Sequence, residues 1–344
     1  MRTEDLEYDL PAALIAQTPA EPRDSARLLV YERSTGAVRH RHFRDLPDEL
    51  RADDLVVLND TRVLPVRVHT RRASGGAVEV LLLEPEPDGR WQALARPARR
   101  LHDGETLTAG ELAITIEGRL DDGRMLVHPR VMGPGPGEAG PGPIADALQR
   151  VGEMPLPPYI HERPADPERY QTVYARHPGS AAAPTAGLHF TPELLARLRQ
   201  EHEVVEVTLG VGLDTFRPVT ADDLADHPLH SEPYAVDEAA AAAIERARAA
   251  GRRIVAVGTT TVRVLETVWG PQGGRREGRT RLMITPGRPF AATGALVTNF
   301  HLPRSTLLAL VMAFAGEEPV RALYRTAVAE RYRFYSFGDA MLLL

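Results

Sequence analysis

The chain has 344 residues, a formal net charge of −6 and no cysteine. That length suffices for two domains, or for one large domain carrying an insertion. The missing cysteines exclude a disulfide framework, a thiolate metal site and a cysteine nucleophile, and the acidic balance excludes a protein that coats nucleic acid through its overall field.

In chain order, Met1-Arg-Thr-Glu-Asp5 lacks the basic-then-apolar pattern of a signal peptide. Leu28–Tyr31, Asp54–Leu58 and Val63–Val68 are short apolar runs that predict strands, with Asn59-Asp60 as turn chemistry between two of them. Val78–Leu83, Trp91–Ala95, Leu112–Ile116 and Met125–His128 follow, with Asp-Gly pairs at 88–89, 103–104 and 122–123. That spacing predicts a small antiparallel barrel or sandwich. Gly133–Pro143 alternates glycine and proline and reads as a flexible linker.

From about residue 152 helices and strands alternate. Thr191-Pro192-Glu193 opens a helix with a cap, a first-turn proline and an acid at the positive end of the dipole. Val204–Leu209 is a strand, Asp237–Ala250 a helix, Ile254–Val257 a strand, and another strand is expected near Leu282–Thr285. Helices from about Ser305 to Ala315 and Glu318 to Tyr332 complete a mostly parallel α/β portion. The longest apolar run, Leu307 to Ala315, is about half a membrane span. A soluble cytoplasmic protein is expected.

All 41 basic residues are arginine. The accompanying excess of alanine, glycine and proline attributes this to codon drift, and the clusters at Arg39–Arg44, Arg71-Arg72, Arg96–Arg100, Arg275–Arg281 and Arg321–Arg333 read as solvated faces. One or two of them remain candidates for a phosphate groove.

Ligands collect where strands of an α/β sheet end, and four such loops carry chemistry. Leu58-Asn59-Asp60-Thr61-Arg62 presents an amide, a carboxylate, a hydroxyl and a guanidinium, or simply ties down a connection. Ala183–Phe190 sets small residues beside His189, which alone reads as a structural histidine. Gly258-Thr259-Thr260-Thr261 suits an anion or carboxylate at a helix start, or plain capping. Thr298-Asn299-Phe300-His301 places an amide and an imidazole between an apolar strand and an apolar helix.

Two further stretches invite other readings. Val204–Asp214 has the look of a methyltransferase glycine loop, but Pro218 disfavours the helix such a loop needs. His227, His230 and Glu232 lie within six positions and lack a fourth ligand, so no metal site is expected.

Taken in series, these segments resemble the S-adenosylmethionine:tRNA ribosyltransferase-isomerases of queuosine biosynthesis. The matching stretches are Tyr8–Pro11, Ile15–Gln17, Arg23–Leu29, Leu58–Arg62, Met154–Ile160, Tyr170–Tyr174 and Ala183–Phe190. They continue with Val257–Thr260 with Arg263 and Glu266, Thr298–Pro303, Ser305–Leu308, Tyr332–Ser336 and Gly338–Met341. The resemblance implies a large mixed α/β domain, 1–67 and 153–344, with a small antiparallel β-barrel domain inserted at 68–152.

It also implies transfer of the ribosyl part of S-adenosylmethionine to the aminomethyl group of a 7-deazaguanine at the anticodon wobble position. The products are epoxyqueuosine-tRNA, adenine and methionine, with no cofactor beyond that co-substrate and no metal. Acid/base work falls to His189 or His301, with Asp60 and Glu232 next. Substrate contacts fall to Asn59, Thr61, Arg62, Pro184, Thr185, Ala186, Gly187, Thr208, Gly212, Thr215, Phe216, His230, Gly258, Thr259, Thr260, Arg263 and Asn299. This chain departs from the family pattern at Gly210, where a histidine is usual, and around Gly294, where the pattern has an aromatic residue and then an aspartate. Two alternatives stand beside this reading: the same ribosyl chemistry on a small free deazapurine or other acceptor, and a noncatalytic RNA-binding relative.

Overall fold

The computed structural model describes residues 1–86, 88–121, 123–133, 141–162, 166–212, 219–229 and 231–344, without the side chains of 141 and 142. It contains two compact units. One comprises Met1–Arg62, Pro157–His177 and Ala183–Leu344; the other comprises Val63–Leu156 and Pro178–Ala182.

The larger unit is organised by Leu55–Asn59, a five-residue strand buried at every position. An uninterrupted buried run of this kind suits a strand covered on both faces. It pairs in parallel with Glu203–Leu209 on one side and Ile254–Val257 on the other. The nine-stranded sheet runs Glu277–Thr280, Glu232–Ala235, Glu203–Leu209, Leu55–Asn59, Ile254–Val257, Ala295–Asn299, Ala340–Leu343, Arg27–Glu32, Ala37–His42. The strands from Glu203–Leu209 to Ala295–Asn299 are mutually parallel, so Leu209, Asn59, Val257 and Asn299 end on one edge.

The sheet is mixed rather than mostly parallel. Ala340–Leu343 enters antiparallel to Ala295–Asn299, and Glu232–Ala235 pairs antiparallel with both of its neighbours. The strand expected near Leu282–Thr285 is instead Glu277–Thr280, whose polar sequence Glu-Gly-Arg-Thr gives no apolar signal because it forms the sheet's edge.

Helices cover the sheet close to the positions expected of them. Thr191 accepts from the Leu194 N–H and starts Pro192–Glu201, whose Leu194, Leu195 and Leu198 are buried. Asp237 caps Glu238–Ala249 and Ser305 caps Thr306–Ala315; Thr259–Val268 and Glu317–Ala329 complete the set. Leu58, Val257 and Val297 from the sheet pack with Phe43, Phe190 and Leu198 in one core.

The smaller unit is a closed six-stranded antiparallel barrel: Arg67–Arg72, Ala77–Pro85, Trp91–Arg96, Met125–Val131, Leu112–Arg119 and Thr106–Ala109, which pairs back to the first strand. Alternation does the work here. Leu112, Ile114 and Ile116 are buried while their neighbours are not, as a strand with one face inward requires. Gly104 supplies the positive φ of +81° at one of the Asp-Gly turns. A helix, Pro141–Val151, begins inside the stretch read as linker, whose residues 134–140 lie outside the described residues.

Candidate active site

At the common edge of the parallel strands, segments far apart in sequence meet around one pocket. Its walls are Ala183, Pro184, Thr185 and Ala186; Val211; Gly258, Thr259 and Thr260; Thr298, Asn299 and His301; and Leu307. Each segment leaves the carboxyl end of a strand or enters the start of a helix, the place where the α/β architecture exposes backbone polar groups to a ligand. Gly258 has φ +92° and turns the chain from Val257 into the helix at Thr259, a conformation that a side chain disfavours.

Asn299 is the hub of one wall. Its Oδ1 accepts from Thr185 Oγ1 at 2.9 Å, and its Nδ2 faces His189 Nε2 at 3.1 Å and the Tyr335 carbonyl at 3.2 Å. An amide NH2 only donates, so His189 accepts through Nε2 and is neutral. Burial, then the Arg333 and Arg23 guanidiniums, pushes its imidazole down to about 3. The ring lies 4.8 Å from that of Phe43 and stands outside the pocket lining, behind Asn299. His301 does face the pocket. Its Nε2 is 2.7 Å from Thr298 Oγ1, and burial holds it too at about 3. Neither histidine gains a proton readily.

Asn59 ties the edge together. Its Oδ1 accepts from the N–H groups of Thr61 and Leu209, while Nδ2 donates to the Leu209 carbonyl and to Thr260 Oγ1 at 3.2 Å each. The side chain thereby fixes a pocket threonine without lining the pocket itself. Gly187, in the turn Thr185–His189, allows close approach of a different kind: a Cβ there would stand 2.0 Å from Tyr174 Oη.

Glu232 and Arg263 form a partly buried ion pair that reaches Gly212, next to Val211 of the pocket wall. Glu232 Oε1 accepts from the Gly212 N–H at 3.0 Å, its Oε2 accepts from Arg263 Nη1, and Arg263 Nε donates to the Leu282 carbonyl at 3.1 Å. Arg62 lies on the surface, paired with Glu168 at 2.6 Å. Thr215, Phe216 and His230 lie outside the described residues. Among the described residues no three histidine, aspartate or glutamate side chains gather as a metal site, and no helix is long and apolar enough to cross a membrane.

Sequence reasoning missed several participants. Ala183, Val211, Thr298 and Leu307 line the pocket, and of these Thr298 carried a signal, standing three residues before His301. The other omission is His177. Its Nδ1 is 2.8 Å from Asp60 Oδ2, and Asp60 Oδ1 accepts from Thr208 Oγ1 at 2.8 Å. A separation of 117 positions between Asp60 and His177 leaves no spacing to read.

Residues 3–343 match the family model described as queuosine biosynthesis protein. Relatives named S-adenosylmethionine:tRNA ribosyltransferase-isomerase include those of Moorella thermoacetica, 53% identical, and Symbiobacterium thermophilum, 52% identical, each over the whole of both chains. That of Rubrobacter xylanophilus is 52% identical over 100% of this chain and 98% of its own. A solved S-adenosylmethionine tRNA ribosyltransferase from Thermotoga maritima aligns over 99% of this chain and 100% of its own, with 37% identity and a TM-score of 0.56. With strands, pocket and full-length relatives in agreement, the chain belongs to the queuosine biosynthesis protein family.

Proposed function

We propose that this chain transfers and isomerises the ribosyl moiety of S-adenosylmethionine onto the aminomethyl group of a 7-deazaguanine at the tRNA wobble position. The products are epoxyqueuosine-tRNA, adenine and methionine; S-adenosylmethionine is a co-substrate, no further cofactor or metal takes part, and the enzyme works in the cytoplasm. We assign the chemistry to the α/β domain, 1–67 and 153–344, with 68–152 as the inserted barrel domain. The observation that carries this reading is the convergence of Thr185, Thr259, Asn299 and His301 on one pocket at the strand ends, supported by the names of full-length relatives.

The reaction sets the site's requirements. A sulfonium acidifies the ribose carbon next to it, so a proton acceptor there permits an ylide, ring opening and loss of adenine; the acceptor amine must then attack as a free amine. The small walls, Pro184, Ala186 and Gly258, let a nucleoside approach the backbone, while Thr185, Thr259, Thr260 and Asn299 offer hydroxyls and an amide to orient it. His301 serves as a neutral hydrogen-bonding group toward the reacting ribose. His189 acts behind it by fixing Asn299, with Gly187 giving the turn its tight packing. Glu232 and Arg263 order the segment through Gly212, and Thr215, Phe216 and His230 are proposed as further substrate contacts. Asn59, Thr61, Arg62, Asp60 and Thr208 form the side at which the tRNA base arrives.

The test is incubation with S-adenosylmethionine and, separately, deazaguanine-bearing tRNA, the free base, or neither, following adenine and methionine. Release only with the tRNA supports the proposal. Release with the free base favours a small-molecule acceptor, and tRNA binding without adenine release favours a noncatalytic relative.

A further inference from the structure

One group at the strand-end edge is accessible and separate from His189 and His301. His177 leaves 63% of its side chain exposed, while the carboxylate it touches, Asp60, is 5% exposed. A carboxylate only accepts hydrogen bonds, so the 2.8 Å contact from Asp60 Oδ2 places the proton of the neutral ring on Nδ1. The lone pair is then on Nε2, the nitrogen that Asp60 does not hold.

Asp60 is itself fixed. Its Oδ1 accepts from Thr208 Oγ1 at 2.8 Å, its N–H donates to the Val207 carbonyl at 3.0 Å, and its carbonyl accepts from the N–H groups of Arg176 and His177. Those last two bonds seat the backbone of His177 on the same residue that orients its ring. A buried carboxylate, an imidazole oriented by it and a lone pair on the ring's other nitrogen are the parts of an acid/base pair. The pair is also tied to the pocket, because Asn59, adjacent to Asp60, donates to Thr260 Oγ1.

We propose that His177 is a catalytic residue, the general base that deprotonates the amine acceptor of the transferred ribosyl group. This rests on the function proposed above. An alkylamine arrives as its ammonium ion. One N–H bond breaks as Nε2–H forms, the imidazolium is stabilised by Asp60, and the nitrogen lone pair is freed to attack; the proton leaves His177 to solvent. Such a step belongs at an exposed edge, where a macromolecule delivers the amine, and the buried imidazoles of His189 and His301, whose Nε2 atoms face Asn299 and Thr298, are ill suited to it.

The experiment compares the wild type with His177→Ala and His177→Asn at saturating S-adenosylmethionine and deazaguanine-tRNA. Asparagine keeps a donor toward Asp60 and lacks the outward base. The expected result is a loss of kcat of ~10²-fold in both variants, with KM for either substrate within about twofold. Added imidazole is expected to restore turnover by about tenfold in the alanine variant, where the ring's space is open, and not in the asparagine variant.

An active wild type matched by His177→Ala overturns the assignment alone, as does a loss that imidazole leaves unchanged or one carried wholly by weaker tRNA binding. Should the alanine variant fail to fold, the asparagine variant decides: wild-type turnover overturns the assignment, and a ~10²-fold loss in a folded protein supports it. A wild type that releases no adenine from either substrate pair overturns the proposed function, and this base with it.

Discussion

His189 and His301 share one physical circumstance and differ in what it does. Both are buried and held at about 3, well under the ordinary 6.5 of an imidazole. Facing the pocket, His301 offers a neutral ring to a ligand; behind the wall, His189 spends its lone pair on Asn299. The sign of the consequence for stability follows from where the proton goes. Unfolded imidazoles bind a proton near 6.5 and the folded ones do not until about 3, so stability is intact above pH 6.5 and drains as the pH falls toward 3. The slope is about 1.4 kcal/mol per pH unit for each histidine. Urea midpoints of the wild type and His301→Gln between pH 7 and 4.5 check this: the variant's stability should fall less steeply by about one proton's worth. Parallel curves would show that His301 takes up its proton in the folded state.

At the scale of elements, the pocket depends on turns whose packing leaves no spare room. Gly187 sits against Tyr174 Oη so closely that a Cβ would lie 2.0 Å away. Gly187→Ala should therefore cost about 3 kcal/mol, the upper range for overpacking, and shift the turn Thr185–His189 that carries Thr185. Tyr174→Phe removes the offending oxygen, which is buried without a hydrogen-bond partner among the described residues, so the double variant should recover part of the loss in thermal melting. An alanine variant as stable as the wild type would contradict this packing.

The same elements show what a sequence can display. Thr191 announced its helix because a capping side chain is a local signal, and the helices that begin after Asp237 and Ser305 were expected at those positions. Four of the six barrel strands were legible from their spacing and the Asp-Gly turns, and Leu55–Asn59 and Ile254–Val257 from apolar runs, while Thr106–Ala109 was not picked out. The strand at Glu277–Thr280 was not, since an edge strand of polar residues looks like a loop. Nor was the antiparallel insertion of Ala340–Leu343, which follows from long-range pairing rather than from its four residues. In the site, the Ala183–Phe190, Gly258–Thr260 and Thr298–His301 loops could be picked out by small residues and hydroxyls at strand ends. The Asp60–His177 contact could not, because only the fold brings residues so distant together.

For the molecule as a whole, a net charge of −6 and a tRNA substrate are compatible only if arginines act locally. Several are already committed: Arg39 and Arg41 to Glu49, Arg72 to Glu105, Arg276 to Glu245. A few phosphate contacts should give a log–log salt dependence of tRNA affinity with a slope of roughly −0.7 to −0.9 per contact. Total slopes of about −2 to −4 are expected from fluorescence titrations across a salt series, and a flat dependence would remove phosphate contacts from the interface.

The most direct test of the central claim, that this pocket passes the ribosyl group of a sulfonium nucleoside to tRNA, is an isotope transfer. The protein is incubated with deazaguanine-bearing tRNA and S-adenosylmethionine labelled with carbon-13 throughout its ribose. Digested tRNA should yield a modified nucleoside carrying every labelled ribose carbon, with unlabelled adenine and methionine released in equal amounts. Adenine and methionine freed while the label stays out of the tRNA, or a label recovered as intact S-adenosylmethionine, would contradict it.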